Sequence, residues 1–218
     1  MCYRCWRPAS CCLCPSQPPM ETRTRIVLLM HMKEFRHQKC TTGRLTCLNL
    51  ANSEIIPGVH FEDNARVRAL IDDPGNYPVL LYPGKESMDI RDSGFPAAIP
   101  GDRRLTVFIV DATWHCSRTI VRLSPSLQRL PRIMIQPLSP SRYTIKRQPA
   151  AWCLSTIEAV HELLIALESS GLDVYPDNER LLAAFRDMQD FQVRQTAMGI
   201  ARFGHCVRGV REHGLGYL

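Results

Sequence analysis

Read from its amino terminus, the chain alternates short, wholly apolar runs with amphipathic stretches. Arg25-Ile-Val-Leu-Leu-Met30 is the first such run. It lacks the every-other-residue polarity of a half-exposed strand, so it predicts a strand covered on both faces. Pro78-Val-Leu-Leu-Tyr82, stopped by Pro83-Gly84, and Leu105-Thr-Val-Phe-Ile-Val110, stopped at Asp111, have the same character, and Arg132-Ile-Met-Ile135 is a weaker fourth. Between these runs, Glu62–Asp72 and Trp114–Leu123 are helix-compatible. Buried strands alternating with helices predict an α/β fold with a largely parallel sheet and flanking helices.

The C-terminal part reads as helical. Ser155 followed by Glu158 has the spacing of a capping box, after which Ile157, Val160, Leu164 and Leu167 recur at helical spacing until Gly171. A second helix is expected to open near Pro176-Asp177, with Leu181, Phe185 and Met188 on one face. The glycines from Gly199 onward predict an irregular tail, and no internal repeat is visible.

Residues 1–20 differ from the rest: they are rich in Cys and Pro, and Pro15, Pro18 and Pro19 suit a stiff connection. The 218 residues therefore divide into a small Cys-rich head, 1–20, and one larger domain, 21–218. At 45% apolar and 22% charged residues, the composition excludes disorder, collagen-like repeats and coiled coil as descriptions of the whole. No apolar run approaches ~18 residues, so no membrane span is expected. Arg4, Arg7 and the cysteines interrupt any apolar leader, so a cytoplasmic, reducing location is expected.

Charge adds a partner. The net charge is +6, but nine basic residues fall between Arg103 and Arg147 with Asp111 as the one acid among them. Arg23, Arg25, Lys33, Arg36, Lys39 and Arg44 form a second basic stretch, with Glu21 and Glu34 the acids nearby. Such clustering suits a polyanion, nucleic acid being the commonest, though a solvated basic face would look the same.

Four places carry candidate chemistry. Five of the ten cysteines lie in the first 14 residues, where Cys2-x-x-Cys5 and Cys12-x-Cys14 set two sulfur pairs on two tight turns. Four thiolates would close a tetrahedral structural zinc site, with Cys11 an alternative to Cys12. Asp111-Ala-Thr-Trp114 follows the most apolar strand directly, where ligand sites of parallel sheets lie. Asp111 can there be a general base, or it can cap the next helix; Trp114 can stack on a base or pack. Tyr82-Pro83-Gly84 is another strand end with a turn that exposes backbone N–H groups, and Ser141, Arg142, Tyr143 and Lys146 sit in a basic loop suited to carboxylate or phosphate.

In order, these pieces resemble the DTW-domain family, the tRNA-uridine aminocarboxypropyltransferases, over roughly residues 2 to 168. The series is Cys2-x-Arg4-Cys5-x-Arg7-Pro8 with Cys12-x-Cys14, His31-x-x-Glu34, Thr42-Gly43-Arg44-Leu45, Tyr82-Pro83, Asp111-Ala112-Thr113-Trp114, Ser141-x-Tyr143-x-Ile145-Lys146 and Ser155-Thr156-Ile157-Glu158-Ala159. The chain departs from the family pattern at Met32, Thr41, Thr144 and Lys146, where Pro, Asn and two arginines are usual. The resemblance implies a SPOUT-like catalytic domain and a zinc-binding start. It also implies transfer of the 3-amino-3-carboxypropyl group of S-adenosylmethionine to N3 of a tRNA uridine, releasing methylthioadenosine. By the same resemblance Asp111, Thr113 and Trp114 are catalytic. Tyr82, Pro83, Gly84, Ser141, Tyr143, Lys146, Thr156 and Glu158 hold the donor, and Cys2, Cys5, Cys12 and Cys14 hold the metal. Glu158 keeps two readings, site residue and helix cap. An RNA methyltransferase of the same general fold and a non-catalytic zinc-stabilised RNA-binding module stay open beside the transferase, as does the oligomeric state.

Overall fold

The computed structural model describes residues 1–203 apart from 6, 38–40, 93, 96–98, 146–149 and 151. Lys146, one of the expected donor-binding residues, lies outside the described residues, as does the chain after 203.

Among the described residues six strands build one sheet: β1 (Arg25–His31), β2 (Ser53–Gly58), β3 (Asn76–Leu81), β4 (Met88–Asp89), β5 (Arg104–Asp111) and β6 (Arg132–Met134). Their order is β2-β1-β5-β3-β6-β4, and every pairing is parallel. The four apolar runs read from the sequence are β1, β3, β5 and β6. In β1, Ile26 to Met30 are all buried because neighbouring residues face opposite sides of the sheet and both sides are covered.

One side packs Ile26, Leu28, Val79, Val107 and Ile109 against α2 (Thr42–Asn49), α6 (Thr156–Ser169) and α7 (Arg180–Phe203). The other packs Val27, Leu29, Leu80 and Phe108 against α3 (Ala65–Asp72), α4 (Trp114–Arg122) and α5 (Pro125–Gln128). The result is a three-layer α/β/α sandwich, completed by the short α1 (Met32–His37) after β1.

Two strands escaped the sequence pattern. β2 is an edge strand with only Ile56 buried, and it tolerates Pro57 because an edge need not donate on both sides. β4, at the opposite edge, has two residues. α2 opens on Thr41, whose hydroxyl accepts from the Arg44 N–H at 3.2 Å; its threonines, glycine and asparagine are weak helix formers, so tertiary packing holds it. Gly171 ends the α6 turn as expected, with φ +74°. α7 begins at Arg180 and runs unbroken through Phe203, so Gly199 lies within helix and the irregular tail expected from there does not start at that residue. A junction far apart in sequence ties the layers to the sheet: the N–H groups of Arg23 and Thr24 donate to the two carboxylate oxygens of Asp173 at 2.6 and 2.9 Å.

Registers bring the strand ends level. Met30 pairs with Asp111 and Leu81 with Ile109, so β1, β5 and β3 finish at one edge, and the following segments open a space there.

Candidate active site

A cavity of ≈ 520 Å³ opens at that carboxyl edge. Its lining includes Leu81, Tyr82 and Pro83 at the end of β3, Ile109 to Trp114 from β5 into α4, Met134 and Ile135 at the end of β6, and Trp152 to Thr156 entering α6. Glu34, Thr41 and Thr42 close the side next to β1. Glu34 and Asp111 are carboxylates, and no Lys, Arg or His stands among the described lining residues.

Asp111 is the last residue of β5 and only 9% exposed. Its Oδ1 accepts from the Thr156 hydroxyl at 2.7 Å. Its Oδ2 lies over the α-carbon of Gly43, where an added methyl would come within 2.0 Å. Arg44 stands behind. Burial lowers the pKa of its guanidinium while the Asp111 charge raises it, and its Nη2 donates to the Phe35 carbonyl at 2.6 Å. Phe35 also underlies the guanidinium, 4.5 Å from ring centroid to carbon. Nearby, burial, with Asp111 adding to it, pushes the Cys47 thiol up to about 12, which leaves it an inert thiol rather than a nucleophile.

The cap of α4 belongs to Thr113, whose hydroxyl accepts from the Cys116 N–H at 3.4 Å. Thr113, rather than Asp111, is thus the N-cap of α4. Trp114 and Trp152 are 39% and 70% exposed at the rim, two aromatic faces a planar base or adenine could meet.

Of the expected donor-binding residues, Tyr82, Pro83, Tyr143 and Thr156 line the cavity. Gly84 lies just beyond, beside Ser87 and Arg132, and Ser141 and Glu158 lie behind the wall. Glu158 is buried and accepts from the Ser155 N–H and hydroxyl at 2.9 and 2.6 Å, from the Ser141 hydroxyl at 2.8 Å and from the Arg142 N–H at 2.6 Å. One carboxylate thus caps α6 and pins the loop that presents Tyr143. Gln189 of α7 holds the same loop, accepting from the Thr144 N–H at 2.7 Å, and Tyr143 meets the Phe185 ring edge-on at 5.2 Å.

Among the lining residues that pattern reading did not assign to the site are Glu34, Thr41, Thr42, Met134, Ile135 and the segment Trp152 to Leu154. Applying the strand-end rule to β1 as well as β5 would have found Glu34. Nothing local marks Trp152 to Leu154, which reach the site only through the fold.

The basic window does not form one surface. Arg103 and Arg104 lie at the start of β5, at the far edge of the sheet from the cavity, and Arg118 and Arg122 stand exposed on α4. Arg129 faces Glu62 at 3.6 Å.

At the other end of the chain, the Sγ atoms of Cys2, Cys5, Cys12 and Cys14 all lie within 4.8 Å of one another, with Cys2 to Cys14 at 3.6 Å and Cys5 to Cys12 at 3.7 Å. A tetrahedron with metal–sulfur bonds of ~2.3 Å has sulfur–sulfur edges of about 3.8 Å, so the cluster has the dimensions of a four-thiolate metal site. Cys12 is the fourth member, and Cys11 turns away toward Ser10. Backbone N–H groups of Cys5 and Arg4 lower the Cys2 thiol to about 6, while burial raises Cys5 and Cys14. The head rests on α7 through Arg7, stacked 4.7 Å over the Phe191 ring. No described helix is long and apolar enough to cross a membrane.

A family model described as the DTW domain matches residues 1–193. Among curated proteins, the chain is 30% identical over 174 residues to tRNA-uridine aminocarboxypropyltransferase 2 of Drosophila melanogaster, covering 77% of this chain and 66% of that protein. It is 28% identical over 200 residues to the protein of the same name from Mus musculus, covering 90% and 64%. It is also 28% identical over 221 residues to tRNA-uridine aminocarboxypropyltransferase A of Arabidopsis thaliana, covering 88% and 80%. The chain spans just under two thirds of the length of the fly and mouse proteins. No solved structure matches.

Proposed function

From the premise that this chain belongs to the DTW domain family, we propose that it is a tRNA-uridine aminocarboxypropyltransferase. In this reading S-adenosylmethionine is the donor and N3 of a uridine is the acceptor. The observation that carries it is Asp111, a buried carboxylate at the strand-end edge of a cavity whose described lining holds two acids and no cation. A donor with a sulfonium and an ammonium group complements such a lining. The reading also rests on the names of the curated relatives.

The chemistry asks for little covalent help. Asp111 accepts the N3 proton of the uracil imide as N3 attacks the γ-carbon of the methionine chain. The N3–carbon bond forms and the carbon–sulfur bond breaks, its electron pair going to sulfur, so that methylthioadenosine leaves as a neutral thioether. Positioning does the rest. Thr156 donates to one carboxylate oxygen, and the absent side chain of Gly43 leaves room for the other. Trp114 and Trp152 frame the planar rings, and the N-terminus of α6 at Thr156 offers N–H groups to the donor carboxylate. Tyr82, Pro83 and Tyr143 pack the donor. In this assignment Thr113 acts through α4, which it caps, and Ser141 and Glu158 act by holding the Tyr143 loop.

The head, residues 1–20, serves as a zinc-stabilised module on a catalytic domain of 21–218. Cys2, Cys5, Cys12 and Cys14 would hold a zinc ion whose contribution is structural, since four protein thiolates leave it no open position. A cytoplasmic setting fits free thiols and a tRNA substrate.

The test is a reaction of purified protein with unmodified tRNA and S-adenosylmethionine, with both products read by mass spectrometry. Aminocarboxypropyl-uridine with methylthioadenosine is expected, and Asp111→Asn should abolish it while leaving tRNA bound. Methylated RNA with S-adenosylhomocysteine would overturn the reaction, and tRNA binding without either product would leave only a binding module.

A further inference from the structure

Arg118 and Arg122 stand four and eight residues after Trp114 on α4, so the three share one face of the helix over a rise of ~12 Å. All three are exposed. Among the described residues neither arginine takes part in an ion pair, whereas the next cation along, Arg129, faces Glu62. No acidic side chain occurs in sequence between Asp111 and Glu158, so α4 carries none of its own beside them. The line starts at the cavity, because Trp114 belongs to its rim.

Two fixed cations leading away from a site rim on a rigid helix select a partner whose negative charges repeat along a line. A phosphodiester backbone has that form, and guanidinium groups bind it by paired N–H donors. We propose that the outer face of α4 is the docking surface for the RNA strand beside the target nucleotide, with Arg118 and Arg122 on its phosphates where the strand leaves the rim at Trp114. This rests on the tRNA reading above and adds where, and by which residues, the strand is held.

The experiment uses the full chain and unmodified tRNA. Affinity is measured by fluorescence anisotropy over a series of salt concentrations for wild type, R118Q/R122Q and R103Q/R104Q. The second double variant removes the same charge at the start of β5, ~23 Å of strand away from Asp111. R118Q/R122Q should lose about tenfold or more in affinity, and its log–log salt slope should fall by roughly 1 to 2. The thermal shift produced by S-adenosylmethionine should stay as in wild type, and R103Q/R104Q should change affinity much less. Because Arg122 lies in the last turn of α4 and favours the helix end, R118E alone serves as a second variant; it should also weaken tRNA binding at an unchanged melting temperature.

Equal losses in the two double variants would overturn the docking surface, since only overall charge would then matter. Unaltered tRNA affinity and slope in R118Q/R122Q would overturn it too, and would leave an acidic protein as the occupant of this face. Failure of the transfer reading shows elsewhere, as wild-type protein that binds tRNA but forms no modified uridine, and a selective loss in R118Q/R122Q would still sustain the docking surface.

Discussion

The carboxylate of Asp111 rests on the α-carbon of Gly43, so closely that a methyl group there would come within 2.0 Å of Oδ2. The contact explains a glycine inside helix α2, where alanine would be intrinsically better by about 1 kcal/mol. In Gly43→Ala the propensity gain of α2 offsets part of the crowding against Asp111 and Met30 Cε (3.1 Å), and Asp111 must move. A displacement of about 1 Å at a reacting group costs on the order of 100-fold. Single-turnover transfer measured beside the melting temperature checks this: a rate near wild type would show that the close approach is incidental.

Thr156 holds the other oxygen of the same carboxylate, at 2.7 Å. Thr156→Val keeps the shape and removes the donor. Hydrogen bonds to charged groups contribute ~1.5–3 kcal/mol, so kcat should fall by roughly 10- to 100-fold with little change in the KM for tRNA. Thr156→Ser, which keeps the hydroxyl, should recover most of the rate.

Glu158 makes a different prediction because it touches the loop rather than the cavity. Glu158→Gln leaves at least one of its four donors without a partner, in a residue 4% exposed. A loss of about 1–3 kcal/mol is expected, which at ~2–4 °C per kcal/mol is visible in calorimetry. Faster proteolysis around Ser141 to Tyr143 should accompany it. An unchanged melting temperature with lost activity would make Glu158 a site residue instead.

In the Cys head, about one zinc per chain is expected by elemental analysis, lost in Cys5→Ser with Cys14→Ser. Cys11→Ser should keep the metal, because its sulfur lies outside the cluster. Chelation should free the head from α7, read as new protease sensitivity before Met20. Native protein without metal would end the idea.

His161 predicts a pH dependence. Burial lowers its pKa below the ordinary 6.5, and its Nδ1 lies 3.3 Å from the Tyr175 hydroxyl. The unfolded chain therefore takes up a proton before the folded one does. Stability from this group is complete above about pH 6.5 and falls as the pH drops below it. The charges facing it are Glu162 and Glu179, which favour its protonation, and Arg142, which opposes it. His161→Gln should flatten the decline of melting temperature between pH 7 and 5.5; an unchanged slope would assign that decline to other groups.

Much of the scaffold was legible locally. Ile26 to Met30 and Leu105 to Val110 announce buried strands because a strand covered on both faces has no polar positions to interrupt it. Ser155 with Glu158, and Gly171 beyond them, mark the bounds of α6 because caps are satisfied within one turn. β2 stayed hidden because an edge strand needs little apolar character, and α2 because its helix is held by neighbours rather than by propensity.

What the sequence by itself determined is the set of parts: apolar strands, two cysteine pairs at tight spacing, and a carboxylate at the mouth of the most apolar strand. These are short-range facts, fixed by pleat, turn and helix period. Only the tertiary structure decided which parts meet. Gly43 and Thr156 reach Asp111 from α2 and α6, Trp152 joins Trp114 at the rim, and the basic window separates into Arg103 and Arg104 at the start of β5 and Arg118 and Arg122 on the exposed face of α4. The reason is the parallel sheet, whose register aligns strand ends from distant segments at one edge while packing, not sequence proximity, chooses what lies over them.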